Sequence, residues 1–129
     1  MRLRAVVLGL LPTLALAQPV IEPGSPFVIG ELFPDTPATC DTLPDWIDHV
    51  PDYDGRISMA IRGRLIESDW DGALAWLVMC PTDRVQVICA TYEPLDPLPD
   101  RDITLAGGVA GWGEGKLLLD PCLPYFDSN

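Results

Sequence analysis

Nine residues decide the fold class of this chain: Ile57-Ser58-Met59-Ala60-Ile61-Arg62-Gly63-Arg64-Leu65. Apolar residues alternate there with small or charged ones, which is the period of two that a half-buried strand requires. Further strand-length segments follow at residues 73–79, 85–92, 103–110 and 116–120, separated by turns and one proline-rich loop. The sequence therefore predicts a mainly β domain with five strands after residue 55.

The chain before these strands predicts one helix and one extended segment. Residues 42–50 carry Pro44 near a helix start and Asp45 in the first turn, ahead of an apolar face, and predict one short N-terminal helix. Residues 18–39 contain five prolines, which exclude a helix and a regular central strand and predict an extended arm. Within this arm, residues 27–29 could add an edge strand or lie over the core.

The first seventeen residues have the pattern of a cleavable export signal. Arg2 and Arg4 precede the apolar residues 5–14, and Ala15-Leu16-Ala17 is a small-x-small cleavage site. This apolar run is too short to span a bilayer, so the cleaved protein is not expected to be an integral membrane protein. We therefore predict a periplasmic or secreted protein whose segments are a signal peptide (1–17), a proline-rich arm (18–39) and a single disulfide-stapled β domain (40–129).

The net charge of the chain limits the classes of partner that it can bind. There are 19 acidic and 8 basic residues, which gives a formal net charge of −11 with the single histidine neutral. A nucleic-acid-binding protein needs clustered Lys and Arg to replace counterions, and no such cluster is present here. Nucleic acid and anionic membrane surfaces are thus unfavourable partners, whereas cationic ligands are electrostatically compatible.

A long bent strand, a meander, a crossing segment and a final hairpin resemble the OB-fold, a five-stranded Greek-key barrel. The resemblance covers residues 56–123 and is architectural, with Gly63-Arg64 and Gly107-Gly108 at positions where such barrels curl. The chain departs from many OB-folds in its crossing segment, residues 93–101, whose prolines leave no room for a helix. A small β-sandwich is the alternative architecture.

Four cysteines, Cys40, Cys80, Cys89 and Cys122, predict two disulfides in an exported domain, and three pairings are possible. A turn at residues 81–84 would place Cys89 opposite Trp76, too far from Cys80 for a disulfide. The OB resemblance implies that Cys40 meets Cys80 at one end of the barrel and that Cys89 meets Cys122 at the other.

The binding candidates are two tryptophans that the sequence places at turns. Trp70 falls between the first two predicted strands and Trp112 between the last two, and the corresponding OB-fold loops flank the ligand-binding face. Asp69, Asp71 and Glu114 lie beside them and could accept hydrogen bonds or pair with cations. A structural alternative is that both indoles fold back to close the barrel ends, and Trp46 and Trp76 are expected in the core.

Catalytic and metal-binding patterns are weak. His49 is the only histidine and no serine has a nucleophile-elbow setting, so no catalytic residues are assigned. Asp52 and Asp54 match the middle of an EF-hand loop, but Val50 and Ile61 occupy its first and last ligand positions. No cofactor is expected, and the two aspartates are only weak metal candidates.

Three functions remain open at this point. The first is a non-catalytic binding module whose ligand is a protein segment, a glycan or a small cationic ligand. The second is an adaptor or structural subunit of an envelope complex, in which the arm orders on a partner. The third and least favoured is a hydrolase or metal-dependent enzyme that uses the carboxylates of Asp48, Asp52 or Asp54. The sequence does not determine the oligomeric state.

Overall fold

The computed structural model describes residues 21–126, so the predicted signal peptide and the first residues of the arm lie outside the described residues. Helix α1 (Leu43–Trp46) continues into a 3₁₀ turn (Ile47–His49), and no helix in the described range is long and apolar enough to cross a bilayer. The strands are β1 (Phe27–Ile29), β2 (Ala38–Thr39), β3 (Ile57–Gly63), β4 (Leu65–Trp70), β5 (Ala75–Met79), β6 (Gln86–Thr91), β7 (Ile103–Gly113) and β8 (Lys116–Tyr125).

The eight strands of the described range belong to one sheet, in the order β1-β3-β7-β8-β6-β5-β4, with β2 pairing beside this path along β3. The β2–β3 and β6–β8 pairs are parallel and the others antiparallel. The prediction of a mainly β fold with one short helix is confirmed. The prediction of a closed five-stranded barrel is wrong, since the sheet is open and has eight strands, and a two-sheet sandwich is wrong as well.

The extra strands have identifiable causes. The chain bends at Arg64 and continues as β4 up to Trp70, a residue that the sequence pattern placed at a turn. The other two come from the arm, where β1 pairs with β3 through Phe27 opposite Met59, and β2 pairs with β3 through Ala38 opposite Ile61. Short stretches between prolines keep their amide groups and can therefore extend a sheet edge.

The sheet curls around its own core. Inward side chains from β3 to β8 form one buried cluster together with Phe27, Ala38 and Leu43. Because only Arg64 separates β3 from β4, the chain links two strands that are far apart in the hydrogen-bonded order. A Cβ atom on Gly63, at the end of β3, would lie only 3.2 Å from the Met79 sulfur of β5. The two flanks of the sheet thus approach each other around a single core.

Phe27 anchors the arm on this core. Its side chain is 1% exposed, and its ring packs edge-on against Trp46 with 6.5 Å between the ring centroids. The sequence predicts either an edge strand or a covering segment for residues 27–29, and the structure shows both roles at once. The helix and the arm are therefore packed on each other as well as on the sheet.

Two disulfides close the domain. Cys40 is bonded to Cys80 and Cys89 to Cys122, with Cα–Cα distances of 5.5 and 5.4 Å, which is the pairing that the sequence analysis favoured. The strand register differs from the expected one, because Cys89 lies opposite Leu77 instead of Trp76. This shift of one residue turns Cys89 and Leu77 together into the core. Two disulfides are the pattern of a protein that resides in an oxidising environment.

Candidate functional site

The two tryptophans that the sequence placed at turns lie instead in strands, each next to a turn, and their surroundings differ. Trp70 ends β4 and Trp112 lies near the end of β7, with 50% and 54% of their surfaces exposed. Trp112 contributes to two grooves of the surface. Neither of these two grooves has Trp70 in its lining. The structure therefore does not bring Trp70 and Trp112 into one site.

Trp112 shares one of these grooves with Trp76. The two indoles line an open groove of about 670 Å³ on the outer face of β5, β6 and β8, which we name the tryptophan groove. Trp76 was expected in the core, and this expectation is wrong because its side chain is only half-buried and points away from the core cluster. The groove is lined by Trp76, Ile88, Gly111, Trp112, Gly113, Glu114, Lys116 and Leu118.

The outer face is apolar because three neighbouring strands carry apolar residues on both sides. In β5 the inward Ala75, Leu77 and Met79 are fully buried, while Trp76 and Val78 between them are half-buried and face outward. The register continues this outer row across the sheet from Val78 to Ile88. Consecutive apolar residues in a strand, in place of strict alternation, are the sequence signal that could have indicated this second apolar face.

A second groove extends the same face towards β4. It has a volume of about 360 Å³ and shares Ile88 and Lys116 with the tryptophan groove. Its further lining residues are Ile66, Glu67, Val78, Thr82 and Gln86. Asp69 lies on the same face, because it is paired with Trp76 across β4 and β5. The face thus has an aliphatic floor with carboxylates at its edges.

Asp71 shapes the turn next to Trp76. Its carboxylate accepts hydrogen bonds from the backbone amides of Leu74 and Ala73, at 2.7 and 2.9 Å, and from the indole Nε1–H of Trp76, at 3.3 Å. These donors, Leu74 first, favour the charged form and hold the pKa of Asp71 below the ordinary value of an aspartic acid. Asp71 is thus a solvent-exposed residue that stabilises the turn and also orients the Trp76 indole, which is one wall of the groove.

Glu114 is the carboxylate closest to Trp112 in sequence, and it lines the groove directly. It lies in the turn between β7 and β8 with a φ of 54°, a left-handed conformation that is uncommon for a residue other than glycine. Gly113 and Gly115 on either side also have positive φ values. This tight turn places Trp112, Glu114 and Lys116 along one rim.

The weak metal candidates and the histidine lie elsewhere. Asp52 and Asp54 are exposed in the loop before β3, where Asp52 lines a small groove between that loop and Trp112. The His49 Nδ1 atom lies 3.5 Å from the Glu22 carboxylate, and both side chains are more than half exposed. Within residues 21–126, no three His, Cys, Asp or Glu side chains are grouped to hold a metal ion.

The tryptophan groove provides chemistry for recognition. Indole faces bind cations and apolar groups, an aliphatic floor buries apolar side chains, and rim carboxylates attract positive charge.

No protein-family model matches the chain, no curated protein matches it, and no solved structure matches it.

Proposed function

We propose that this protein is a non-catalytic binding module of the periplasm or the extracellular space, and that it binds an extended protein segment rich in apolar and cationic residues. The observation that carries this proposal is that Trp76 and Trp112 line one groove together with the aliphatic residues Ile88 and Leu118. Exposed apolar surface of this kind is typical of an interaction site. The predicted export signal and the two disulfides support the location.

The connectivity of the sheet supports an OB-type face for this role. If β3 and β4 are taken as two halves of one bent strand, then β5, β6, β7 and β8 are the second to fifth strands. Counted from β4 to β3, the neighbouring strands of the sheet are then the first, second, third, fifth and fourth, followed by the first again, because β3 and β4 are halves of the same strand. The tryptophan groove includes the outer sides of β5 and β6, and OB-folds bind ligands on the corresponding strands.

Charge favours a cationic segment over a neutral glycan. The chain has a formal net charge of −11, and around the apolar floor the three carboxylates of Glu67, Asp69 and Glu114 outnumber the one ammonium group of Lys116. A Lys or Arg side chain can place its charge over an indole and lay its alkyl stem along Ile88 or Leu118. A neutral sugar would use the indoles but would gain nothing from this field.

The test compares two tryptophan variants in a direct binding assay. Calorimetric titration of the mature protein with a short peptide of alternating lysine and valine should show binding that weakens as salt is added. Trp112→Ala should lower the affinity by about tenfold or more, since indole anchors are typical hot spots. Trp70→Ala is the matched control, with similar exposure outside the groove, and should leave the affinity unchanged.

Several outcomes would overturn this assignment. If the peptide fails to bind, or if the two variants lose affinity equally, the groove is not the peptide site. If a chitin oligosaccharide binds in a manner that depends on Trp112 while the peptide does not, the ligand is a glycan. A second peptide with glutamine in place of every lysine separates charge recognition from apolar contact, and it should bind more weakly.

A further inference from the structure

A second cavity lies away from the tryptophan groove, between the arm, β3, β7 and the end of β8. It has a volume of about 370 Å³, within the range of small-molecule pockets. Arg56 and Ser58 line it on the β3 side, and Phe33, Tyr92 and Tyr125 provide aromatic walls. These aromatic residues are far apart in the sequence, and only the fold brings them together.

A fixed arginine is the polar centre of this cavity. The Arg56 Nε–H donates to the Ser58 hydroxyl oxygen at 3.3 Å, and that hydroxyl donates to the Gly30 carbonyl oxygen at 2.6 Å. Ser58 is only 4% exposed, so its hydrogen-bonded chain is held inside the protein. The guanidinium also lies close to Gly108, where an added Cβ would be 3.3 Å from its central carbon. The guanidinium is therefore held in place before any ligand arrives.

The charge of Arg56 has no carboxylate partner among residues 21–126. Other arginines form ion pairs on the surface: Arg64 contacts Asp100 at 3.1 Å and Arg84 contacts Asp41 at 3.4 Å. In a chain with more than twice as many acidic as basic residues, a half-buried arginine without such a partner is a notable exception. Its Nη groups are free to donate two parallel hydrogen bonds to a planar anion.

The side chains that line the cavity indicate which chemical group the anionic ligand carries next to its charge. The rings of Phe33 and Tyr125 pack edge to face with 4.9 Å between their centroids, while Leu32 and Tyr92 leave 73% and 68% of their surfaces exposed. Exposed apolar side chains around one guanidinium suit a ligand with an apolar or aromatic group next to its charge. Glu31 also lines the cavity, and this carboxylate disfavours a doubly charged phosphate more than a singly charged carboxylate.

We propose that this cavity binds a carboxylate that carries an aromatic or branched apolar group, with Arg56 receiving the carboxylate. Such a group occurs in free aromatic acids and at the C-terminus of a peptide that ends in an apolar residue. The site is separate from the tryptophan groove and does not depend on the function proposed for it.

The experiment titrates the mature, disulfide-bonded protein with matched acids and amides, followed by NMR shifts of its amide signals. 3-Phenylpropionate and a short peptide ending in phenylalanine are the acids, and their carboxamides are the neutral controls. Each acid that binds should shift signals of residues around Arg56, and its amide should bind about tenfold more weakly or worse. A much tighter peptide acid identifies a chain terminus as the ligand, while equal affinities identify a small acid.

Two arginine variants show whether the cavity is responsible. Arg56→Gln should weaken acid binding by about tenfold or more. Arg64→Gln removes a surface arginine outside the cavity and should leave binding unchanged. Tyr92→Ala changes a mostly exposed wall residue and should weaken binding even if the Arg56 variant does not fold. The proposal is overturned if neither acid binds, if amides bind as well as acids, or if Arg56→Gln folds and binds like Arg64→Gln.

Discussion

The carboxylate of Asp71 holds the turn between β4 and β5 and the indole of Trp76 at the same time. All three donors stabilise the charged form of this carboxylate, which explains why the pKa of Asp71 is lowered. The residue lies on the protein surface, so its effect on stability is moderate and is screened by water. Its effect on the groove is direct, because Trp76 forms one of the walls.

Asp71 predicts a specific response to acid. A carboxyl group whose folded pKa is lowered contributes stability that is fully present above the ordinary pKa of about 4. That contribution is lost as the pH falls through the folded pKa. Urea unfolding between pH 7 and pH 2 should therefore show a smaller acid-induced loss for Asp71→Asn than for the unmodified protein. At a pH below the folded pKa, Asp71 no longer stabilises the unmodified protein through its charge, so this difference between the unmodified protein and Asp71→Asn should disappear.

The control for this pH series is Asp69→Asn. Asp69 is also exposed and acidic, but it takes no part in the three hydrogen bonds of the turn. Its variant should follow the pH dependence of the unmodified protein. If Asp71→Asn follows that dependence too, the hydrogen bonds do not stabilise the charged carboxylate as described.

At the scale of elements, β7 and β8 meet with two irregularities in register, between Gly107 and Val109 and between Val109 and Gly111. Bulges of this kind increase the twist and bend a strand locally. At Gly107 an added Cβ would be 2.8 Å from the Cys122 Cα and in contact with the Pro121 carbonyl oxygen. At Gly111 such an atom would meet nothing within 4 Å.

These two glycines in one strand provide a matched pair of substitutions. Gly107→Ala should lower the free energy of unfolding by about 1–3 kcal/mol, because the backbone of β8 must move away from the new methyl group. Gly111→Ala should change it by no more than about 0.5 kcal/mol. Urea denaturation of both variants measures the difference, and similar stabilities would show that β8 does not approach β7 as closely as described.

The strands illustrate which elements a single sequence can predict. The alternation in β3 and the turns around β5 made the main strands recognisable, since local spacing carries that information. The edge strands β1 and β2 depend on pairing with a distant strand, and the prolines around them concealed this potential. Trp76 was misplaced because every residue of β5 is apolar, so its sequence does not show which side of the strand faces the core.

The candidate sites also differ in whether local sequence indicates them. Trp112 and Glu114 were found from the turn at the end of β7, which is a local signal. The cavity around Arg56 was not found, because Phe33, Tyr92 and Tyr125 come from separate parts of the chain. Nothing in the spacing of those residues indicates that they meet.

At the scale of the whole molecule, the two disulfides contribute in different ways. They join cysteines that are 40 and 33 positions apart, and this difference in loop length changes the entropic stabilisation by only about 0.2 kcal/mol. Burial separates them more clearly. Cys89 and Cys122 are at most 2% exposed and both belong to the core, whereas Cys40 is only half-buried.

Replacing each pair by alanine tests this difference. Removal of either disulfide should lower the free energy of unfolding by about 2–4 kcal/mol. The Cys89→Ala, Cys122→Ala protein should lose more than the Cys40→Ala, Cys80→Ala protein, because it also leaves a void in the core. Urea unfolding without reductant gives both values. An equal or opposite order would show that loop closure, and not core packing, sets the contribution of the second bridge.

The position of β8 in the sheet determines when this protein can fold. β8 is the last of the eight strands within residues 21–126, yet it lies between β7 and β6 and joins the two halves of the sheet. A chain that emerges with its N-terminus first can form the β4–β5–β6 meander early, but its core stays open until β8 arrives. Cys40 and Cys80 can meet before that moment, whereas Cys89 must wait for Cys122. Most of the chain can thus be synthesised before the native core forms, and the Cys89–Cys122 disulfide can form only once β8 has joined the sheet.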